Sequence, residues 1–171
     1  LKDLIDNVGK STTLQNILNH YTAEEERIFT IIYHTGIKMP DEFKYDYMVK
    51  TFNQMWYNIN NIENVILDRS HISESVFAEM YRGQNTDVLF DQERQSTEDT
   101  FLVMLTDSAD NLMKREDGLS LAQDIKAKQL ELDLFDKSFQ KSSLNKLRID
   151  ISDNNETQVV EKIIQFIKGS K

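Results

Sequence analysis

The chain has 171 residues, a net charge of −9 and a composition that is 39% hydrophobic and 29% charged, which fits one globular domain large enough to bury a core. The acidic balance weighs against binding a nucleic acid polymer, which needs a basic face, yet admits a small phosphorylated ligand that feels only the local field. There is no cysteine, which excludes disulfides and thiolate metal sites, and no apolar run approaches the roughly 18 residues of a membrane span. The first residues show no basic segment followed by an apolar stretch, so no secretory leader is expected and the compartment expected is the cytoplasm. Leu1 is not an initiator methionine, which leaves room for a few residues ahead of it.

Asp3-Leu4-Ile5 reads as the stub of a first strand, followed by Leu14, Ile17 and Leu18 at helical spacing. Phe29-Thr30-Ile31-Ile32-Tyr33 is a second strand, with the only proline, Pro40, in the loop after it. Met48, Phe52, Met55, Trp56 and Ile59 form the apolar stripe of a helix. Asn64-Val65-Ile66-Leu67, Phe101-Leu102-Val103-Met104-Leu105 and Leu147-Arg148-Ile149-Asp150-Ile151 supply three more strands. Such near-continuous apolar runs suit buried parallel strands. Gln84 to Asp99 is polar and predicts a loop or an irregular helix. Leu119 to Ser142 predicts a helix with Ile125, Leu132, Phe135 and Phe139 inward. The last helix runs from about Glu156 to Lys168, capped by Asn155 or Thr157. Alternating strands and helices predict an α/β fold, a P-loop NTPase-type parallel sheet of about five strands flanked by helices, in a single domain over residues 1–171.

Val8-Gly9-Lys10-Ser11-Thr12-Thr13 stands between the first strand and the first helical pattern. A glycine there lets backbone N–H groups turn toward phosphate oxygens, and the helix N-terminus adds partial positive charge. Lys10 would reach the β- and γ-phosphates of ATP, and Ser11 would bind Mg²⁺. The full pattern wants a glycine six positions before the lysine, where this chain has Leu4. Either the loop is divergent or a few residues are skipped between Ile5 and Asp6; the intact remainder of the motif favours the second and predicts a break there. The competing structural reading is an ordinary helix start with a Ser/Thr cap.

Asp68-Arg69 closes the third strand, at the sheet edge where open α/β proteins bind ligands. Asp68 could hold magnesium through water, and Arg69 could grip a phosphate with two hydrogen bonds. A surface ion pair closing a strand is the plainer alternative.

These motifs, in this order, resemble the thymidylate kinase and deoxynucleoside kinase superfamily of P-loop kinases over nearly the whole chain. Asp6 matches the acidic residue that thymidylate kinases carry four positions before the P-loop lysine. Asp68, Arg69 and Ser73 match the family's Asp-Arg-Tyr segment and its following serine, while Ser70 and Phe77 stand where tyrosines are usual. Tyr81-Arg82-Gly83 is similar to the next family segment, and Leu105-Thr106-Asp107 precedes a helix with Lys114 and Arg115. The arginine that thymidylate kinases place after the second strand has no counterpart in Tyr33-His34-Thr35-Gly36. The basic lid, at about 114–120, is short, and Ser70 resembles the Glu-Arg-Ser of deoxynucleoside kinases.

The resemblance implies ATP- and Mg²⁺-dependent phosphorylation of a deoxynucleoside monophosphate, dTMP or a related pyrimidine nucleotide first. It assigns Val8, Gly9, Lys10, Ser11, Thr12 and Asp153 to ATP. Ser11 and Asp68 go to the metal, and Asp6, Phe52, Arg69, Ser73 and Phe77 to the substrate. Lys10, Asp68, Arg69 and Arg115 are the catalytic set. It also implies a homodimer. A deoxynucleoside kinase is the close alternative, and a non-catalytic nucleotide-binding protein the alternative of another class. Core packing competes with base stacking for Phe52 and Trp56. Tyr45 and Tyr47 would line a pocket or cover the sheet, Glu24-Glu25-Glu26 reads as a solvated helix end, and His34 and His71 lack partners at metal-ligand spacing.

Overall fold

The computed structural model describes residues 2–4, 10–25, 29–33, 41–96, 99–115 and 121–169. The β-branched runs form five strands: β1 (Lys2–Leu4), β2 (Thr30–Tyr33), β3 (Val65–Asp68), β4 (Phe101–Thr106) and β5 (Asn145–Asp150). The helices between them are α1 (Lys10–Glu25), α2 (Asp41–Asn61), α3 (His71–Arg82), α4 (Asp87–Glu93), α5 (Ala109–Lys114), α6 (Ile125–Lys141) and α7 (Glu156–Gly169). The strands pair in parallel in the order β2-β3-β1-β4-β5, so every strand ends at the same edge. Residues Ile5 to Gly9, which hold the expected break and most of the phosphate loop, and Pro40 lie outside the described residues.

Strand β4 is flanked by β1 and β5, and Leu102 to Leu105 are almost wholly enclosed. That burial explains its unbroken apolar run. Strand β5 begins at Asn145, two residues before its apolar run, because Asn145 and Lys146 pair with Phe101 and Leu102. One core cluster contains the α2 stripe of Met48, Phe52, Met55 and Trp56 together with Leu67, Ile72, Phe135 and Ile163.

Two sequence expectations are corrected in detail. Gln84 to Asp99 contains a regular helix, α4, with Leu89 and Phe90 buried. Its polar side chains serve as anchors: Gln92 Nε2 donates to the Val49 carbonyl at 2.9 Å, and Gln95 Nε2 to Asn53 Oδ1 at 3.0 Å. The helix expected from Leu119 begins instead at Ile125, because the Asp124 carboxylate caps it, accepting from the backbone N–H groups of Lys126 and Ala127 at 2.9 and 2.8 Å. Ile125 is then an exposed first-turn residue, and the inward stripe is Lys128, Glu131, Phe135, Ser138 and Phe139.

Helix α3 packs against α6. Phe77 meets Phe135 edge-on with ring centroids 6.3 Å apart, and Ser75 Oγ donates to Ser138 Oγ at 2.9 Å. The helix is stopped by Gly83 at φ 59, whose N–H reaches the carbonyl of Glu79. A Cβ on Gly83 would meet nothing within 4 Å, so any penalty for a side chain there is purely conformational. Gly83→Ala should therefore lower the unfolding free energy by about 1 kcal/mol, and Gly83→Asn by less, since asparagine tolerates the left-handed region. Urea unfolding of both variants checks this; equal midpoints for wild type and Gly83→Ala would show that the turn does not depend on the left-handed residue.

Candidate functional site

Strands β1 and β3 are neighbours, with Lys2 opposite Asp68. The chain that leaves β1 returns as α1 at Lys10, whose first turn presents Ser11 and Thr12 to solvent while Thr13 and Leu14 turn inward. Asp6, Val8 and Gly9 lie outside the described residues. Asp68 is half-buried at the end of β3. The exposed turn holding Asp153 follows the end of β5 at the same edge.

Arg69 follows Asp68 with φ 73, in the left-handed region. For a residue with a Cβ that conformation costs roughly 1–2 kcal/mol, and such strain collects where geometry serves function. Its guanidinium carbon lies 5.5 Å from the centroid of the Phe77 ring, a cation–π arrangement. Phe77 stacks on Tyr81 at 6.1 Å and abuts Phe135. Helices α3 and α6 thus build an aromatic shelf for the arginine.

Ser70 caps α3: its Oγ accepts from the Ile72 N–H at 3.4 Å. Beside it, His71 Nδ1 lies 3.2 Å from Ser70 Oγ, and His71 Nε2 lies 2.6 Å from Glu93 Oε2. Ser142 Oγ donates to the same Glu93 oxygen at 2.7 Å. The other oxygen accepts from the Ser143 N–H at 2.6 Å and the Ser143 hydroxyl at 2.7 Å. Burial pushes the Glu93 carboxyl pKa up, but the hydrogen bonds from His71, Ser142 and Ser143 outweigh it and hold the pKa at about 2. Carboxylate, imidazole and hydroxyl stand here in the order used by nucleophilic serines. Ser70 and His71 are 0% exposed and Glu93 is 1% exposed, so no substrate reaches the hydroxyl and the arrangement is a scaffold.

The remaining sequence candidates divide. Ser73 is buried inside α3. Phe52 is fully enclosed in the core, the packing role its spacing suits; a base contact needs cleft exposure that this position lacks. Arg115 closes α5 and forms an ion pair with Asp107 at 2.8 Å, at the end of β4. Lid residues 116–120 lie outside the described residues. Asp68, Arg69 and the start of α1 therefore share one edge with Arg115 and Asp153. Glu93 had no local signal: it sits 22 residues from His71 in a polar segment. A cavity of about 420 Å³, lined by Ile17, Val65, Phe101 and Ile163 among others, opens instead near the starts of β3 and β4, away from this edge.

No protein-family model and no curated protein matches the chain. Among solved structures it is similar to the crystal structure of the YorR protein from Bacillus subtilis in complex with phosphorylated GDP. The TM-score is 0.74 at 16% sequence identity, covering 98% of this chain and 94% of that one. At that identity the likeness shows a shared fold.

Glu93 makes a pH test possible. Its folded pKa lies below the ordinary 4.5, so the stability it contributes is fully present above that value and fades as pH falls toward 2. The difference in unfolding free energy between wild type and Glu93→Gln should be largest near pH 6 and shrink steadily below about pH 4.5. Denaturant titrations across that range would read it; a difference that stays constant down to about pH 3 would contradict the ionised, clamped carboxylate.

Proposed function

We propose that this chain is a P-loop nucleotide kinase that uses ATP and Mg²⁺ to phosphorylate a deoxynucleoside monophosphate, with dTMP or a related pyrimidine nucleotide first. The observation that carries the reading is the adjacency of β3, ending in Asp68-Arg69, and β1, whose chain leads to Lys10-Ser11 at the start of α1. A phosphate loop after β1 and an acid–base pair at the end of β3 would meet across the edge where open α/β sheets hold ligands. The fold shared with YorR, a protein crystallised with a phosphorylated nucleotide, supports the same class of ligand.

Each residue then has a physical task. Backbone N–H groups at Val8 and Gly9 and the N-terminus of α1 would cradle the donor phosphates, with Lys10 neutralising their charge and Thr12 in the same first turn. The Ser11 hydroxyl and the Asp68 carboxylate are hard oxygen donors of the kind Mg²⁺ takes, one or two at a time beside substrate phosphates. When bound, the metal would neutralise charge on the transferred group. Arg69, on its shelf against Phe77, would anchor the acceptor phosphate, and its fixed fork suits that better than a lysine. Asp6 would lie on the acceptor side, while the buried Ser73 would act only as part of α3. Asp153 would flank the adenine. Arg115 would exchange Asp107 for the moving phosphoryl oxygens.

A deoxynucleoside acceptor is the second reading, favoured by the lack of an arginine in the segment after β2. ATP turnover across a panel of deoxynucleoside monophosphates and deoxynucleosides decides between them. The expected result is monophosphate-dependent turnover that Lys10→Ala reduces at least about a hundredfold while the fold survives. Undiminished activity in Lys10→Ala would remove the lysine from the donor site. Turnover of thymidine with none of dTMP would move the assignment to a deoxynucleoside kinase. Nucleotide binding without any turnover would leave a non-catalytic binding protein.

A further inference from the structure

Arg69 holds a left-handed backbone although it carries a side chain, and such a conformation persists only where neighbouring structure over-determines it. The residue after it, Ser70, is extended (φ −127, ψ −163) and wholly buried. Ser70 meets His71, His71 meets Glu93, and the Glu93 carboxylate receives Ser142 and Ser143. Helix α3, helix α4 and the turn between α6 and β5 thus converge on a single carboxylate. Apolar side chains would fill this space at lower desolvation cost; what they lack is direction, and a carboxylate held by His71 and two serines fixes orientation as well as volume.

We propose that Glu93 and His71 are positioning residues for Arg69: the buried chain from Ser142 and Ser143 through Glu93 and His71 to Ser70 locks the backbone that aims the guanidinium along the face of Phe77. The proposal rests on the kinase reading for what Arg69 grips, an acceptor phosphate. Its mechanical content stands on the geometry alone. Loosening the clamp lets Arg69 relax out of the left-handed region and swing from its shelf. The acceptor then loses its anchor while the donor side, built on α1, is untouched.

The test uses Glu93→Gln, which keeps the volume but turns an amide toward donors, and Ser143→Ala, a milder change at the solvent-facing end of the network. With ATP as donor, Glu93→Gln should raise the acceptor KM about tenfold and Ser143→Ala about two- to threefold, with kcat and the ATP KM within about twofold of wild type. In an Arg69→Ala background the same changes should raise the acceptor KM no further, because both act through that side chain. A lowered Tm with unchanged acceptor KM would overturn the proposal, as would an equal rise in the Arg69→Ala background. A second readout needs no acceptor: the Arg69 Nε–H resonance, assigned by its loss in Arg69→Lys, should shift or broaden in both variants. An unmoved resonance overturns the positioning role. A moved resonance in a protein that turns over no acceptor keeps the role and rejects the kinase reading.

Discussion

Strands β1 and β3 lie side by side and run the same way, with Lys2 opposite Asp68, so the chain leaves both at one edge of the sheet. Two helices start at that edge, α1 at Lys10 and α3 at His71, three residues beyond Asp68. The N-terminus of α1 carries partial positive charge there and presents Ser11 and Thr12 to solvent, whereas the N-terminus of α3 is buried and capped by Ser70. The chain as a whole carries −9, but the field that a small anion meets is set within about a Debye length of these helix ends and of Arg69.

Two ionisable pairs lie buried within the fold, where apolar side chains are the rule. His71 and Glu93 are enclosed behind α3, and Lys128 pairs with Glu131 at 3.3 Å within the buried stripe of α6. Breaking such a buried pair by removing one partner typically costs 3–5 kcal/mol, so these positions resist single substitutions even though none of them faces solvent. Phe77 in turn contacts Tyr81 and Phe135 and lies beneath the Arg69 guanidinium.

The sheet was legible in the sequence because its strands read as apolar runs, longest in the buried β4, and β2, β3 and β4 fall within a residue of theirs. The edge proposed for the ligand was legible because Asp68-Arg69 ends such a run. Other features depend on partners far away in sequence. Helix α4 owes its place to Gln92 and Gln95 reaching α2, and polarity alone reads that segment as a loop. The early end of α6 turns on one capping carboxylate, Asp124, so Ile125 was counted as inward by spacing. The left-handed Arg69 is invisible in sequence, since an arginine gives no hint of positive φ where a glycine would. Glu93 becomes meaningful only when folding brings it against His71 and the serines after α6.

Arg69 is proposed to anchor the phosphate of a nucleotide acceptor. Calorimetric titration of dTMP, and of thymidine as the phosphate-free control, into wild type and Arg69→Ala tests it most directly. dTMP should bind wild type at least about tenfold more tightly than Arg69→Ala, the gap should narrow as salt rises, and thymidine should not distinguish the two proteins. Equally tight dTMP binding by both proteins would contradict it.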